Sequence, residues 1–165
     1  MLAGLAALSA CKAETPALTD ASGGGGNDCT PYADLLVAYT TPGGGAGDGE
    51  AALGAPDEAS IPLTANAVLT VGFIGLGGVQ DSATVGDDIQ VHATAAADTE
   101  VDVFLSGDGE VWENAGTVTT DDLAIDIANT GSLTVALYVQ LVGVKGSLQL
   151  DALESLQTSC SMPVR

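Results

Sequence analysis

The stretch SLTVALYVQLVGV, residues 132–144, constrains the fold more than any other. Leu133, Val135, Leu137, Val139 and Leu141 recur at every second position, the period at which side chains reach one face of a β-strand. DIQVHAT (88–94) aligns Ile89, Val91 and Ala93 in the same way, and EVDVFLS (100–106) aligns Val101, Val103 and Leu105. LAIDIAN (123–129) aligns Leu123, Ile125 and Ile127 with Asp126 pointing away. ADLLVAY (33–39) reads as a first strand and NAVLTVGF (66–73) as a well-buried one, whereas SLQLDALESL (147–156) also fits a helical stripe through Leu150, Leu153 and Leu156.

Between these runs lie glycine-rich connections: TTPGGGAGDGE (40–50), IGLGGVQDSATVGD (74–87) and a tight Asp108-Gly109 turn. About eight strands, spaced by roughly 10 to 15 residues with no long helical pattern between them, predict an all-β antiparallel sandwich or jelly roll. The 165 residues accommodate one domain with some tail. Aromatic residues are only 4% of the chain, so Ala, Val, Leu and Ile must build the core.

Against 22 Asp and Glu stand only Lys12, Lys145 and Arg165, a net charge of -19. Nucleic-acid binding needs a basic patch and is excluded on that ground. The carboxylates are dispersed and read as a solvated surface, which repels itself unless salt or bound cations screen it; a saline milieu is expected.

MLAGLAALSAC (1–11) is an apolar run ending in Leu8, Ser9, Ala10 and Cys11, too short to span a bilayer. It resembles the lipobox of bacterial lipoproteins, which implies cleavage and lipidation at Cys11. No Lys or Arg precedes the run, a departure from the usual positive start of a signal peptide. The resemblance implies anchorage to the cell envelope, and Lys12 after the cysteine favours the outer membrane or cell surface. KAETPALTDASGGGGND (12–28) is a polar, flexible tether. With Cys11 lipidated, Cys29 and Cys160 remain, and in an oxidising compartment they are expected to pair. Closing so long a loop stabilises by at most about 4 to 5 kcal/mol in the chain-entropy model.

Several segments are similar to the galactose-binding-like jelly-roll superfamily, in particular to its discoidin or coagulation-factor C-type domains. These are VFLSGDGEVW with its Asp-Gly turn and tryptophan, VALYVQL (135–141), LQLDALESLQTSC (148–160), and AALGAPDE (51–58). Leu137 stands where an Arg is frequent in that group. The resemblance covers 29–160, leaves 161–165 as a tail, tips 147–156 toward strand, and agrees with a Cys29–Cys160 pair. It also implies a structural calcium joining the loop after the first strand to the last strand, at Asp57, Glu58 and Glu154, with Asp151 facing the same end.

Carbohydrate binding through loops at one end of the sandwich is a further implication. Sugar sites pair a stacking ring with convergent polar groups, yet loops 40–50, 74–87 and 95–99 hold no aromatic residue, and Tyr32, Tyr39 and Tyr138 lie in or beside strands. Asp81, Asp87 and Asp88 are loop carboxylates suited to a polar or cationic ligand. Trp112, the single tryptophan, is expected to cover one end of a small-residue core. No catalytic residue is assigned: His92 falls on the polar phase of its strand, and GxSxG, GxGxxG and P-loop motifs are missing. The expected function is a non-enzymatic, lipid-anchored module that binds a polysaccharide, a matrix component or an envelope protein, with a structural lipoprotein as the alternative.

Overall fold

The computed structural model describes residues 30–82 and 86–157. Cys11, Cys29, Cys160, the apolar leader, the tether and the tail lie outside these residues. Eleven strands follow in order: β1 (Leu35–Thr40), β2 (Ile61–Thr64), β3 (Val68–Gly72), β4 (Val79–Gln80), β5 (Ile89–Ala95), β6 (Glu100–Ser106), β7 (Glu113–Thr119), β8 (Ala124–Ile125), β9 (Val135–Ala136), β10 (Tyr138–Lys145) and β11 (Ser147–Ser155). Two 3₁₀ turns, Glu50–Ala52 and Ile127–Thr130, interrupt them.

One sheet runs β2-β11-β5-β8, the other β1-β3-β10-β6-β7, and β4 pairs with β9. All pairings are antiparallel, and they nest: β6 with β7, β5 with β8, β3 with β10, β2 with β11. The chain is thus one long hairpin folded over on itself, a jelly roll. Eight strands make that frame, and β1 extends it by pairing with β3.

The alternation legible in the sequence sets the inward faces. Leu69 and Val71, Val139 and Leu141, and Val101, Val103 and Leu105 bury from the larger sheet against Leu63, Ile89, Val91, Ile125, Leu148, Leu150 and Leu153 of the smaller one. Phe73 is the largest fully buried side chain among the described residues. At the corner where β10 passes from one sheet to β11 in the other, Gly146 takes φ 71°. A side chain there would also press on Thr99, whose hydroxyl donates to Ala96 O and accepts from Ser147 N–H.

Some local expectations are corrected. Residues 123–129 do not form one strand: the Asp126 carboxylate accepts from Ala128 N–H at 2.8 Å and caps the Ile127–Thr130 turn, so a side-chain bond displaces the ladder. The 132–144 run breaks at Leu137, whose N–H donates to Ser106 O and whose carbonyl accepts from Phe73 N–H. Segment 74–87 contains β4, and 147–156 is strand through Ser155. The link from β6 to β7 is a longer loop in which Asp108 accepts from Glu110 N–H and Val111 N–H, while Gly109 N–H donates to the Ser106 hydroxyl. Those bonds hold the Asp108 carboxyl below the ordinary aspartate range. Trp112 closes that loop half-buried and does not join the core cluster, so the expected core-capping role is not what the structure gives it.

Candidate functional site

The four positions expected to bind calcium do not assemble into one coordination site. Asp151 sits at a register shift in β11, and its two carboxylate oxygens accept from Asp57 N–H at 3.1 Å and Glu58 N–H at 3.2 Å. It is a clasp that holds the 57–58 turn, where Glu58 takes φ 72°, against the sheet. Glu154 instead meets His92 Nε2 at 2.7 Å. Among the described residues these carboxylates form no group with three ligand atoms in mutual reach.

Three other carboxylates do converge. Asp81, Asp88 and Asp126 each offer an oxygen, all within 4.8 Å of one another. Antiparallel pairing of Ile89 with Ile125 brings the start of β5 to the end of β8, which places Asp88 beside Asp126. Asp88 is 0% exposed; its Oδ1 accepts from Ser82 N–H at 2.9 Å and its Oδ2 from Ile127 N–H at 2.9 Å. Burial pushes its carboxyl above the ordinary aspartate range, the two N–H donors oppose this, and the charges of Asp126 and Asp81 add to the rise. Of the loop carboxylates expected to act together, Asp81 and Asp88 are joined, whereas Asp87 is exposed and stands apart. Asp126 was not among the expected site residues. Its signal was present as an Asp one residue before Ile127 with Gly131 just beyond, the two ends of a capped turn.

His92 projects from β5 on the outer face of the smaller sheet. It lines a groove of about 350 Å³ with Pro56, Glu58, Ser60, Thr94, Gln149 and Asp151. Tyr32 stands beside it, ring centroids 6.4 Å apart and planes tilted by 59°. With Glu154 on Nε2, the imidazole is fixed in orientation.

The outer face of the larger sheet differs in character. Register puts Ala38, Thr70, Gln140, Phe104 and Asn114 in one cross-strand row and Leu35, Gly72, Tyr138 and Ser106 in the next. Their inward-facing neighbours Val71, Val139, Leu141, Val103 and Leu105 are buried, so these rows point away from the core, with Thr70, Gly72 and Ser106 covered by what lies over the sheet. None of the nine positions carries a charge. Phe104 and Tyr138 are diagonal neighbours on adjacent strands, a separation of about 7 to 8 Å. Gln140 donates to the Thr70 hydroxyl at 3.2 Å, which draws its amide toward β3. Carboxylates rim this strip: Asp102, held by the Thr117 hydroxyl at 3.0 Å, Asp34, and Asp108 in the loop that brings Gly109 against the Tyr138 ring. Aromatic residues sought in the loops are thus found on a sheet face.

No protein-family model, curated protein or solved structure matches the chain.

Proposed function

We propose that the chain is a non-enzymatic binding module of the cell envelope, tethered by residues 12–28 to a lipid on Cys11, whose ligand meets the outer face of the larger sheet. The observation that supports this is the distribution of charge. On a chain of net charge -19, two adjacent rows at one end of that face are free of charge and carry two half-buried rings and two side-chain amides. The exposed and half-buried positions of the strip, Asn114, Gln140, Phe104 and Tyr138, offer rings and amides to a glycan or another envelope component. Melting the full chain against a panel of polysaccharides and purified envelope components tests the proposal. A ligand that binds only the folded state raises Tm by mass action. A panel in which nothing raises Tm counts against a binding module and favours a structural lipoprotein.

A structural calcium belongs to the same proposal, at Asp81, Asp88 and Asp126 and not at Asp57, Glu58, Asp151 and Glu154. Carboxylate oxygen is the ligand this ion takes, and the ion would supply the countercharge that the crowded Asp88 lacks. Millimolar calcium is expected to raise Tm by a few degrees in the native chain. Asp81→Asn, which leaves the hydrogen bonds of Asp88 and Asp126 in place, is expected to abolish that rise. Equal shifts in the two proteins would place the ion elsewhere.

A further inference from the structure

The uncharged strip is narrow, and its composition restricts what lies on it. Two half-buried rings stand at diagonal positions on adjacent strands, with Gly109 against the Tyr138 ring, an extended arrangement that suits consecutive units of one polymer better than a single compact ligand. Beside them stand the Gln140 and Asn114 amides, groups that donate to and accept from hydroxyls without charge, whereas the Thr70 and Ser106 hydroxyls of the same rows are buried. The rim is acidic at Asp34, Asp102 and Asp108, and among the described residues the single lysine, Lys145, is held by Glu100 at 2.8 Å. A polyanion approaching this face meets like charge, with no free lysine or arginine among the described residues to offset it. A polycation is drawn to carboxylates all over the molecule and has no reason to select the strip.

We infer that the strip recognises a neutral polysaccharide, laid across β10 and β6 with sugar faces on Tyr138 and Phe104, and that the acidic surround excludes anionic glycans. This rests on the binding-module proposal and names its ligand class. The polymer's C–H faces stack on the rings, and its equatorial hydroxyls bond to Gln140 and Asn114.

Affinity electrophoresis of the full chain tests it, with soluble neutral glucans (laminarin and hydroxyethylcellulose) and galactomannan set against alginate and polygalacturonate, and with chitosan as the cationic probe. At least one neutral polymer is expected to retard the native chain, with an affinity that changes less than about twofold between low and high salt, because no ion pair forms. Tyr138→Leu, which keeps apolar bulk on the half-buried face but removes the ring, is expected to weaken that retardation about tenfold, and Phe104→Leu to do the same. Tyr138→Phe keeps it within about threefold, and melting confirms that the variants fold. Gln149→Ala, in the His92 groove on the opposite sheet, is expected to leave it unchanged. Retardation by the charged polymers alone overturns the inference, as does retardation that both leucine variants retain or that Gln149→Ala removes; the binding module survives each of these. No retardation by any polymer, together with no Tm shift from the polysaccharides or envelope components, overturns both.

Discussion

Gly143→Ala is expected to destabilise the domain by about 3 kcal/mol, a fall in Tm of roughly 10 °C for a domain of this size. A Cβ on Gly143 would stand 2.0 Å from Thr64 O and 2.7 Å from Thr64 C, far inside contact distance, and both are backbone atoms. Neither side can yield cheaply. Thr64 O accepts from Ala67 N–H at 2.9 Å, Gly143 O accepts from Asn66 N–H at 2.8 Å, and Gly143 N–H donates to Ala67 O at 2.9 Å. The first bond closes the turn where β2 leaves the smaller sheet and β3 enters the larger one, and the other two pin β10 to that turn. Relief of the overlap must break bonds at the seam of the sandwich. Denaturant melts of Gly143→Ala and of the neighbouring Val142→Ala check this, because Val142 points outward and its truncation should cost under about 1 kcal/mol. Similar losses in the two variants would mean that the seam relaxes around the methyl group.

How much of this was legible in the sequence follows from where the physics is local. Two strands with period-two apolar residues, β5 and β6, begin and end close to where the alternation does, and β10 keeps its phase but starts only after the break at Leu137, since one buried face fixes phase more firmly than extent. β2 was not legible: IPLT is short, and Pro62 weakens a strand signal that the structure accommodates at a sheet edge. β7 hides its phase behind a bulge between Val103 and Phe104 partners and carries few apolar residues. The outward phase of Phe104 and Tyr138 was implicit in the inward phase of their neighbours. Their adjacency was not, because it depends on the β10–β6 register, a pairing across more than thirty residues of chain. Likewise Asp88 and Asp126 looked like two separate surface charges until β5 paired with β8. Sequence pattern finds faces; long-range pairing decides which side chains share one.

Asp88→Ala is the second large effect, again about 3 kcal/mol, with a pH dependence that identifies its cause. The carboxylate joins three parts of the chain: Ser82 N–H from the 74–87 connection, Ile127 N–H from the turn after β8, and the Gln157 side chain at 3.4 Å beyond β11. Truncation strands two donors, one of them fully buried, at about 1 to 3 kcal/mol each, and the relief of a buried charge beside Asp81 and Asp126 offsets only part of that. The sign with pH is opposite to that of an ordinary bonded carboxylate. Because burial first, and then the Asp126 and Asp81 charges, raise the native pKa above the unfolded one, the folded state binds the proton more tightly. Stability from this group is fully present below the unfolded pKa and is lost as pH rises through the native one. Mild acidification from neutrality should therefore raise the Tm of the native chain. At still lower pH the loss of Asp108's loop bonds, whose carboxyl titrates below the ordinary range, reverses the trend. In Asp88→Asn the mild-acid rise should vanish, and saturating calcium should flatten it in the native chain if the ion fills the triad. A native Tm that falls monotonically from neutral pH downward would show that Asp88 is already neutral there or that its neighbours relax.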